Sequence, residues 1–574
     1  MTKARDIGSK FSDSNGNTAY GTDALKANTT GIENVAVGDD ALLSNTIGIY
    51  NVAIGKDALR LNTTGTRNTA VGAYALDDNT IGGYNVAIGT SSMGSNTEGT
   101  DNVAVGRAAL FANTTGTNNV AIGNNALDSN TTGVNNVAVG FGALGTSVTA
   151  GFNVAVGMNS LALNTTGQAN TALGFGSLYA NTTANDNTAL GFQALAANTT
   201  GYFNTVVGAY ALDANTIGIQ NVAMGRGALG TGVSASYNVA VGVDALVNVN
   251  SDYNTAIGQG AYYGSVGATG ANNVAIGINA LGPNTTGANN VAIGNYALDA
   301  NTAGSFSVAI GREALTSNTV GDKNVVVGAS SLGSNTTGTH NVAIGYYVLG
   351  ANTTGSGNVA IGAFWDGSIA GPLGSNTIGQ ANVAIGAGAL HANTTSSSNA
   401  AVGIGALYSA TGGTNTAIGR NAGYNTTTGT NNSFLGNEAQ PSSATVSNAI
   451  TLGNASVATL RCQVTSITAL SDIRDKTNVE SIPVGLDFIK DLKPVKFEWN
   501  MRDGGKVGIE EGGFIAQELL ATEEKFGTKA WTQIVSEENP DKLEAAPAKL
   551  IPILVKAIQE LSAKVDELQA QLGK

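Results

Sequence analysis

Apolar and polar positions along the chain follow one short pattern that repeats. Asn is followed by Val, Ile or Thr, then Ala, then a second apolar residue, then Gly, as in Asn34-Val-Ala-Val-Gly38, Asn51-Val-Ala-Ile-Gly55, Asn68-Thr-Ala-Val-Gly72 and Asn341-Val-Ala-Ile-Gly345. An Ala-Leu pair and an Asn-Thr-Thr-Gly-like turn usually follow. Twenty-six such anchors run from Asn17 to Asn448, with Ser307 once in place of Asn, and 20 of the 25 intervals are 17 residues. Alternation of β-branched residues with Ala predicts a short strand. The Gly permits a bend that needs positive φ. The Asn of the second turn is read as a left-handed corner whose side chain bonds nearby backbone. The Ala-Leu pair is expected to pack inward.

A fixed period this short makes each unit one coil of a solenoid rather than a domain. Seventeen residues at about 3.3 Å reach roughly 56 Å, enough for a coil with two or three short sides. Asn residues at equivalent positions are expected to form side-chain ladders along the stack. The interior reads as thin, mostly Ala, Val, Ile and one Leu per coil. Pairing with other copies of the chain is expected to supply the missing burial, the alternative being a monomeric β-solenoid.

Charge and glycine content change near residue 470. Residues 1–470 hold 13 Lys+Arg and 21 Asp+Glu, whereas the last 104 residues hold 14 and 19, with only 8 of the 78 glycines. The resulting division is an N-terminal attachment segment 1–16, an elongated β-repeat shaft 17–453, a linker 454–470, a small α+β domain 471–549 and a C-terminal helix 550–574. Within the α+β domain, Leu486–Leu492 reads as helix and Val495–Trp499 as strand. Trp499 and Trp531 are read as core. Ile551, Leu554, Ile558, Leu561, Val565, Leu568 and Leu572 alternate at spacings of three and four, a coiled-coil seam. Ile and Val at the first core positions with Leu at the second favour two strands in simple peptides.

The coils resemble the Asn-x-Val-Ala-Ile-Gly repeats of trimeric adhesin heads and repeats of phage tail fibres. Past the composition break come Leu470-Ser471-Asp472-Ile473-Arg474-Asp475-Lys476, then Leu486 to Trp499, then Gly513-Phe514-Ile515-Ala516-Gln517-Glu518. This ordered set resembles the intramolecular chaperone that ends endosialidase tail spikes and many phage fibres. The resemblance implies a domain that trimerises, templates the fibre ahead of it and then cuts itself off. It assigns Ser471 as nucleophile and Lys476 as base, with Asp472 and Arg474 in support. A serine hydroxyl needs a base to take its proton. A lysine serves only if burial or a cationic neighbour lowers its pKa, and Asp475 beside it opposes that shift. The resemblance and the thin interior together set the expectation at three chains.

Insertions are the candidate receptor contacts, since extra residues leave a solenoid as loops on one face. The interval from Asn358 to Asn382 grows to 24 residues and holds Phe364 and Trp365; that from Asn254 to Asn273 grows to 19 and holds Tyr262 and Tyr263. Aromatic rings there can stack on sugars or anchor a protein surface.

Net charge is −13 without a basic run, which argues against nucleic acid as a partner. The single cysteine, Cys462, excludes an intrachain disulfide, and two histidines, His340 and His391, leave no metal centre or His-based triad. No cofactor is expected. The start lacks the apolar segment of a secretory signal, and no stretch of about 20 apolar residues is present to insert in a membrane. The combined expectation is a phage tail fibre of the virion, assembled in the host cytoplasm. It would bind a tail or baseplate adaptor through its N-terminus and a host cell-surface receptor, glycan or protein, along the shaft. The alternatives are a bacterial trimeric surface adhesin, an ice-binding solenoid and a glycan-degrading fibre.

Overall fold

A computed structural model describes residues 13–362, 371–457, 472–500, 507–537 and 543–573. The chain divides into two compact units, Met1–Tyr346 with Ala351–Thr354, and Tyr347–Gly350 with Gly355–Lys574. In the first unit, three-residue strands run from β1 (Thr18–Tyr20) to β20 (Val342–Ile344). Within this unit neighbouring strands pair in parallel one coil apart, so that Val35 faces Val52, Ala36 faces Ala53 and Val37 faces Ile54. In the second unit, β21 (Val359–Ile361) to β26 (Ile450–Leu452) stack by the same rule. The shaft is therefore a parallel β-solenoid of 17-residue coils, as the period predicts.

The coil Asn34–Tyr50 shows how the sequence closes on itself. Ala36 turns inward from the strand and meets Ala41 and Leu42, all three fully buried. The flanking Val35 and Val37 point outward and are half-buried. The inward side chains of a coil are thus buried within the one chain. The apolar surface left over lies on the outer strand face, where Ile54, Ile88, Ile122 and Ile257 are each 40 % exposed.

Two asparagine columns run through the interior. In the first, Asn51 Nδ2 donates to Asn34 Oδ1 (3.1 Å) and to Gly65 O (2.9 Å), while the Asn51 backbone N–H also donates to Asn34 Oδ1 (2.9 Å). In the second, Asn62 Nδ2 donates to Asn45 Oδ1 (2.9 Å) and Gly65 O (3.1 Å), and Asn62 Oδ1 accepts from Asn79 Nδ2 (2.8 Å). Buried amides cost free energy unless paired. In-register stacking pairs each with its own copy one coil away.

Backbone conformation explains the glycine and contradicts the reading of the turns. Gly38 has φ +141°, and a Cβ there would lie 2.3 Å from Gly55 O in the next coil. The non-glycine left-handed residues of this coil are Asp40, Leu42 and Tyr50, at φ 58°, 52° and 60°. The corner therefore falls on the Leu of the Ala-Leu pair, not on Asn45. A left-handed non-glycine residue costs roughly 1–2 kcal/mol. Burying the leucine side chain contributes roughly 1.5–3 kcal/mol and offsets it.

The last coil moves the final anchor by one residue. The Ala449 backbone N–H donates to Asn432 Oδ1 (3.0 Å), and β26 begins at Ile450. Ala449 thus takes the column position, one residue after Asn448, which is left-handed at φ 60°. The interval from Asn432 is then 17 residues, which makes 21 of the 25 intervals regular.

The C-terminal α+β domain packs on Phe488, Leu519, Ile534, Val535, Leu550 and Ile553. Helix α1 (Leu486–Asp491) and strand β27 (Val495–Asn500) lie where the pattern placed them, and β27 pairs antiparallel with β28 (Val507–Gly513). Helices α2 (Ala516–Lys525) and α3 (Lys529–Thr532) follow, then the short antiparallel pair β29 (Val535–Ser536) and β30 (Glu544–Ala545). Helix α4 (Ile551–Leu572) ends the domain. Trp499 is half-buried and donates Nε1–H to Glu511 Oε2 at 2.6 Å, but Trp531 is 47 % exposed and is not core.

Candidate assembly and cleavage site

Asp472 and Arg474 lie together at the entry to the C-terminal domain. Asp472 caps the short helix Ile473–Asp475: its Oδ1 accepts from the Arg474 backbone N–H at 2.8 Å and from Arg474 Nε at 3.0 Å. The Arg474 guanidinium holds the Asp472 carboxyl below the usual carboxylate range, and the carboxylate raises Arg474 in return. Lys476 closes this turn, its backbone N–H donating to Ile473 O, and its side chain is exposed. Ser471 lies outside the described residues, so its distance to Lys476 is not defined.

Two contacts that the sequence reading missed shape the rest of the domain. Glu523 is fully buried, and its carboxylate accepts from Thr532 Oγ1 (2.6 Å), Ile534 N–H (2.7 Å) and Val535 N–H (3.2 Å). A buried carboxylate is tolerated when hydrogen bonds replace its hydration. It ties α2 to the loop entering β29. Glu560 on α4 accepts from the Leu486 backbone N–H at 2.8 Å, capping α1 from a residue 74 positions away. Nothing in the residue order around either glutamate marks it as buried or capping.

Helix α4 has two apolar faces. Ile553 and Ala557 are buried against the domain. The seam residues Ile551, Leu554, Ile558, Leu561, Val565, Leu568 and Leu572 all point elsewhere, each at least 40 % exposed. The heptad stripe is therefore not the face by which the helix packs on its own domain.

Residues 471–528 match the family described as chaperone of endosialidase, Peptidase S74. The match begins at Ser471 and takes in Asp472, Arg474 and Lys476, the Glu523 helix and the α1–β27 segment. A chaperone-of-endosialidase domain behind a β-solenoid of 17-residue coils fits a tail-fibre-like protein. No curated protein and no solved structure matches the chain.

The receptor candidates separate. Tyr262 is fully buried, standing where other coils carry the inward leucine. Its hydroxyl donates to Gly270 O (2.6 Å) and accepts from Asn284 Nδ2 (2.9 Å), and burial pushes its pKa up to about 12. It closes an end of the second asparagine column and offers no surface to a receptor. Tyr263 is 48 % exposed on the same coil. Phe364 and Trp365 lie outside the described residues. In most coils the threonine that follows the second-column asparagine donates its hydroxyl to the next coil, as Thr46 Oγ1 does to Thr63 O and Thr63 Oγ1 to Thr80 O, both at 3.0 Å. These hydroxyls serve the stack and are not free for a bound ligand. Among the described residues, no group of three or more His, Cys, Asp or Glu is placed to hold a metal, and no helix is long and apolar enough to cross a membrane.

Proposed function

We propose that the chain is a homotrimeric fibre protein that attaches to a host-cell surface, and that its C-terminal domain templates assembly and then cuts itself off beside Ser471. The observation that carries the reading is the outward seam of α4 in a domain matched to the chaperone of endosialidase. The helix is already fixed to its own domain through Ile553, Ala557 and the Glu560 cap. A second, unpaired apolar stripe at heptad spacing favours copies of the same helix. The exposed Val and Ile of the strand faces supply a matching surface along the shaft.

Assembly also supplies what the cleavage chemistry needs. Burial is what brings a lysine amine toward the range of a working base, and Lys476 is exposed in the single chain. In the trimer, the Ser471 hydroxyl attacks the adjoining peptide carbonyl while Lys476 takes its proton and passes it to the leaving nitrogen. Water then hydrolyses the ester. Cutting therefore reports correct assembly. Removing the template leaves a β-fibre whose interchain pairing is slow to re-form, which makes the product kinetically stable. Residues 1–16 join the fibre to a phage tail, and Tyr263, Phe364 and Trp365 are the residues offered to the receptor.

The test is expression of the full chain beside Ser471→Ala and Lys476→Ala, read on a denaturing gel. The wild type is expected as fragments of about 470 and about 100 residues, and each variant as one chain of 574. Scission of Ser471→Ala at the same place overturns the assignment.

A further inference from the structure

We propose that ordered water takes the place of the missing carboxamide at Ser147 and at Ala410, two positions where the second asparagine column is interrupted. The column is continuous from Asn28 to Asn130, each Nδ2 donating to the Oδ1 one coil back, as Asn130 Nδ2 does to Asn113 Oδ1 at 2.9 Å. The next residue in the column is Ser147, and beyond it the pattern resumes with Asn181 Nδ2 donating to Asn164 Oδ1 at 2.9 Å. Asn130, Ser147 and Asn164 are all fully buried. Asn130 Oδ1 and Ser147 Oγ receive no hydrogen bond from the chain and Ser147 Oγ makes none.

Serine has two heavy atoms fewer than asparagine. The space released is of the order of one water, whose share of liquid volume is about 30 Å³. Buried polar atoms without a partner are rare, and a bound water commonly satisfies two to four of them. One water can donate to Asn130 Oδ1 and accept from the Ser147 hydroxyl. A cation fits less well. Asn164 Nδ2 keeps one hydrogen on Gly167 O (3.0 Å) and by the column's pattern aims the other back toward the gap. A water accepts that hydrogen, whereas a cation is repelled by it.

The same arrangement recurs in another coil. Ala410 stands in the column between Asn393 and Thr426, and on its two sides Asn393 Oδ1 and Thr426 Oγ1 are without a partner. Both residues are fully buried, as is Ala410. The breaks at Ser147 and Ala410 thus leave unpartnered oxygens at or beside the break, whereas at the break between Asn215 and Asn284 the chain supplies the partners itself, Asn215 Oδ1 accepting from Gly218 N–H (3.0 Å) and Asn284 Nδ2 donating to the Tyr262 hydroxyl (2.9 Å).

An electron-density or cryo-EM map of the full chain at about 2 Å resolution tests this. The expected result is a solvent peak about 2.6–3.2 Å from both Asn130 Oδ1 and Ser147 Oγ, and a second bonded to Asn393 Oδ1 beside Ala410. In Ser147→Asn the first peak is expected to vanish, with the introduced carboxamide bonding Asn130 Oδ1 directly, while the peak beside Ala410 stays. Empty density at both breaks overturns the proposal. So does a Ser147 hydroxyl bonded straight to Asn130 Oδ1, or a peak that persists in Ser147→Asn.

Discussion

The first asparagine column can be tested with a graded pair of substitutions at Asn51. Asn51→Ala removes an oxygen that accepts from the Asn68 backbone N–H (3.0 Å), and an Nδ2 that donates to Asn34 Oδ1 and Gly65 O. The buried Asn68 N–H, left unpaired, costs about 1–3 kcal/mol, and the two lost donor bonds cost about 1 kcal/mol each. The total is about 3–5 kcal/mol. Asn51→Ser should be much milder, because Ser307 occupies this column naturally. There the backbone N–H still donates to Asn290 Oδ1 (3.0 Å), and Ser307 Oγ accepts from Asn324 N–H at 3.2 Å. Only the donor bonds are lost, about 1–2 kcal/mol. Repeat arrays open locally, so hydrogen exchange of the segment 47–72 is the appropriate readout. At about 1.4 kcal/mol per tenfold, Asn51→Ala should exchange roughly 100–4,000 times faster there, and Asn51→Ser roughly 5–30 times. Equal effects from the two variants, or protection unchanged in Asn51→Ala, would refute the column as a source of stability.

Glycine should be irreplaceable only where coils touch. Gly55→Ala would put a Cβ 2.5 Å from Gly72 O at φ +137°, and loss of soluble, protease-resistant shaft is expected. Gly267→Ala has nothing within 4 Å at φ +79°, so a cost of about 1 kcal/mol and unchanged protease resistance should follow. His391 predicts a pH effect. Burial lowers its pKa in the folded chain, so the unfolded state binds the extra proton and stability falls as pH drops below about 6.5. Exchange in the segment 382–398, corrected for intrinsic rates, should rise between pH 7.5 and 5, and His391→Phe should abolish that rise.

Much of the shaft was legible because its signal is periodic. A strand of alternating Val and Ala fixes which face is inward, and identical spacing fixes the register, so the ladders follow. The left-handed leucine was not legible. Leucine at positive φ is unfavourable locally, and only the stacked coil makes Leu42 the inward residue. Tyr262 misled for a related reason. An aromatic in a lengthened coil reads as a surface loop, yet its hydroxyl substitutes for an amide in the second column. In the C-terminal domain, α1, β27 and the seam of α4 were readable from spacing. Glu523 and Glu560 were not, because their partners lie 9 to 12 and 74 residues away.

Native mass spectrometry of uncut Ser471→Ala protein, with Leu561→Asp/Val565→Asp added in a second sample, counts the chains held together by the α4 seam. The account predicts a species of three chains for the first. It predicts single chains or heterogeneous aggregate for the second, whose substitutions charge the seam without touching Ile553 or Ala557. A well-ordered single chain in both samples, or three chains in both, would contradict it.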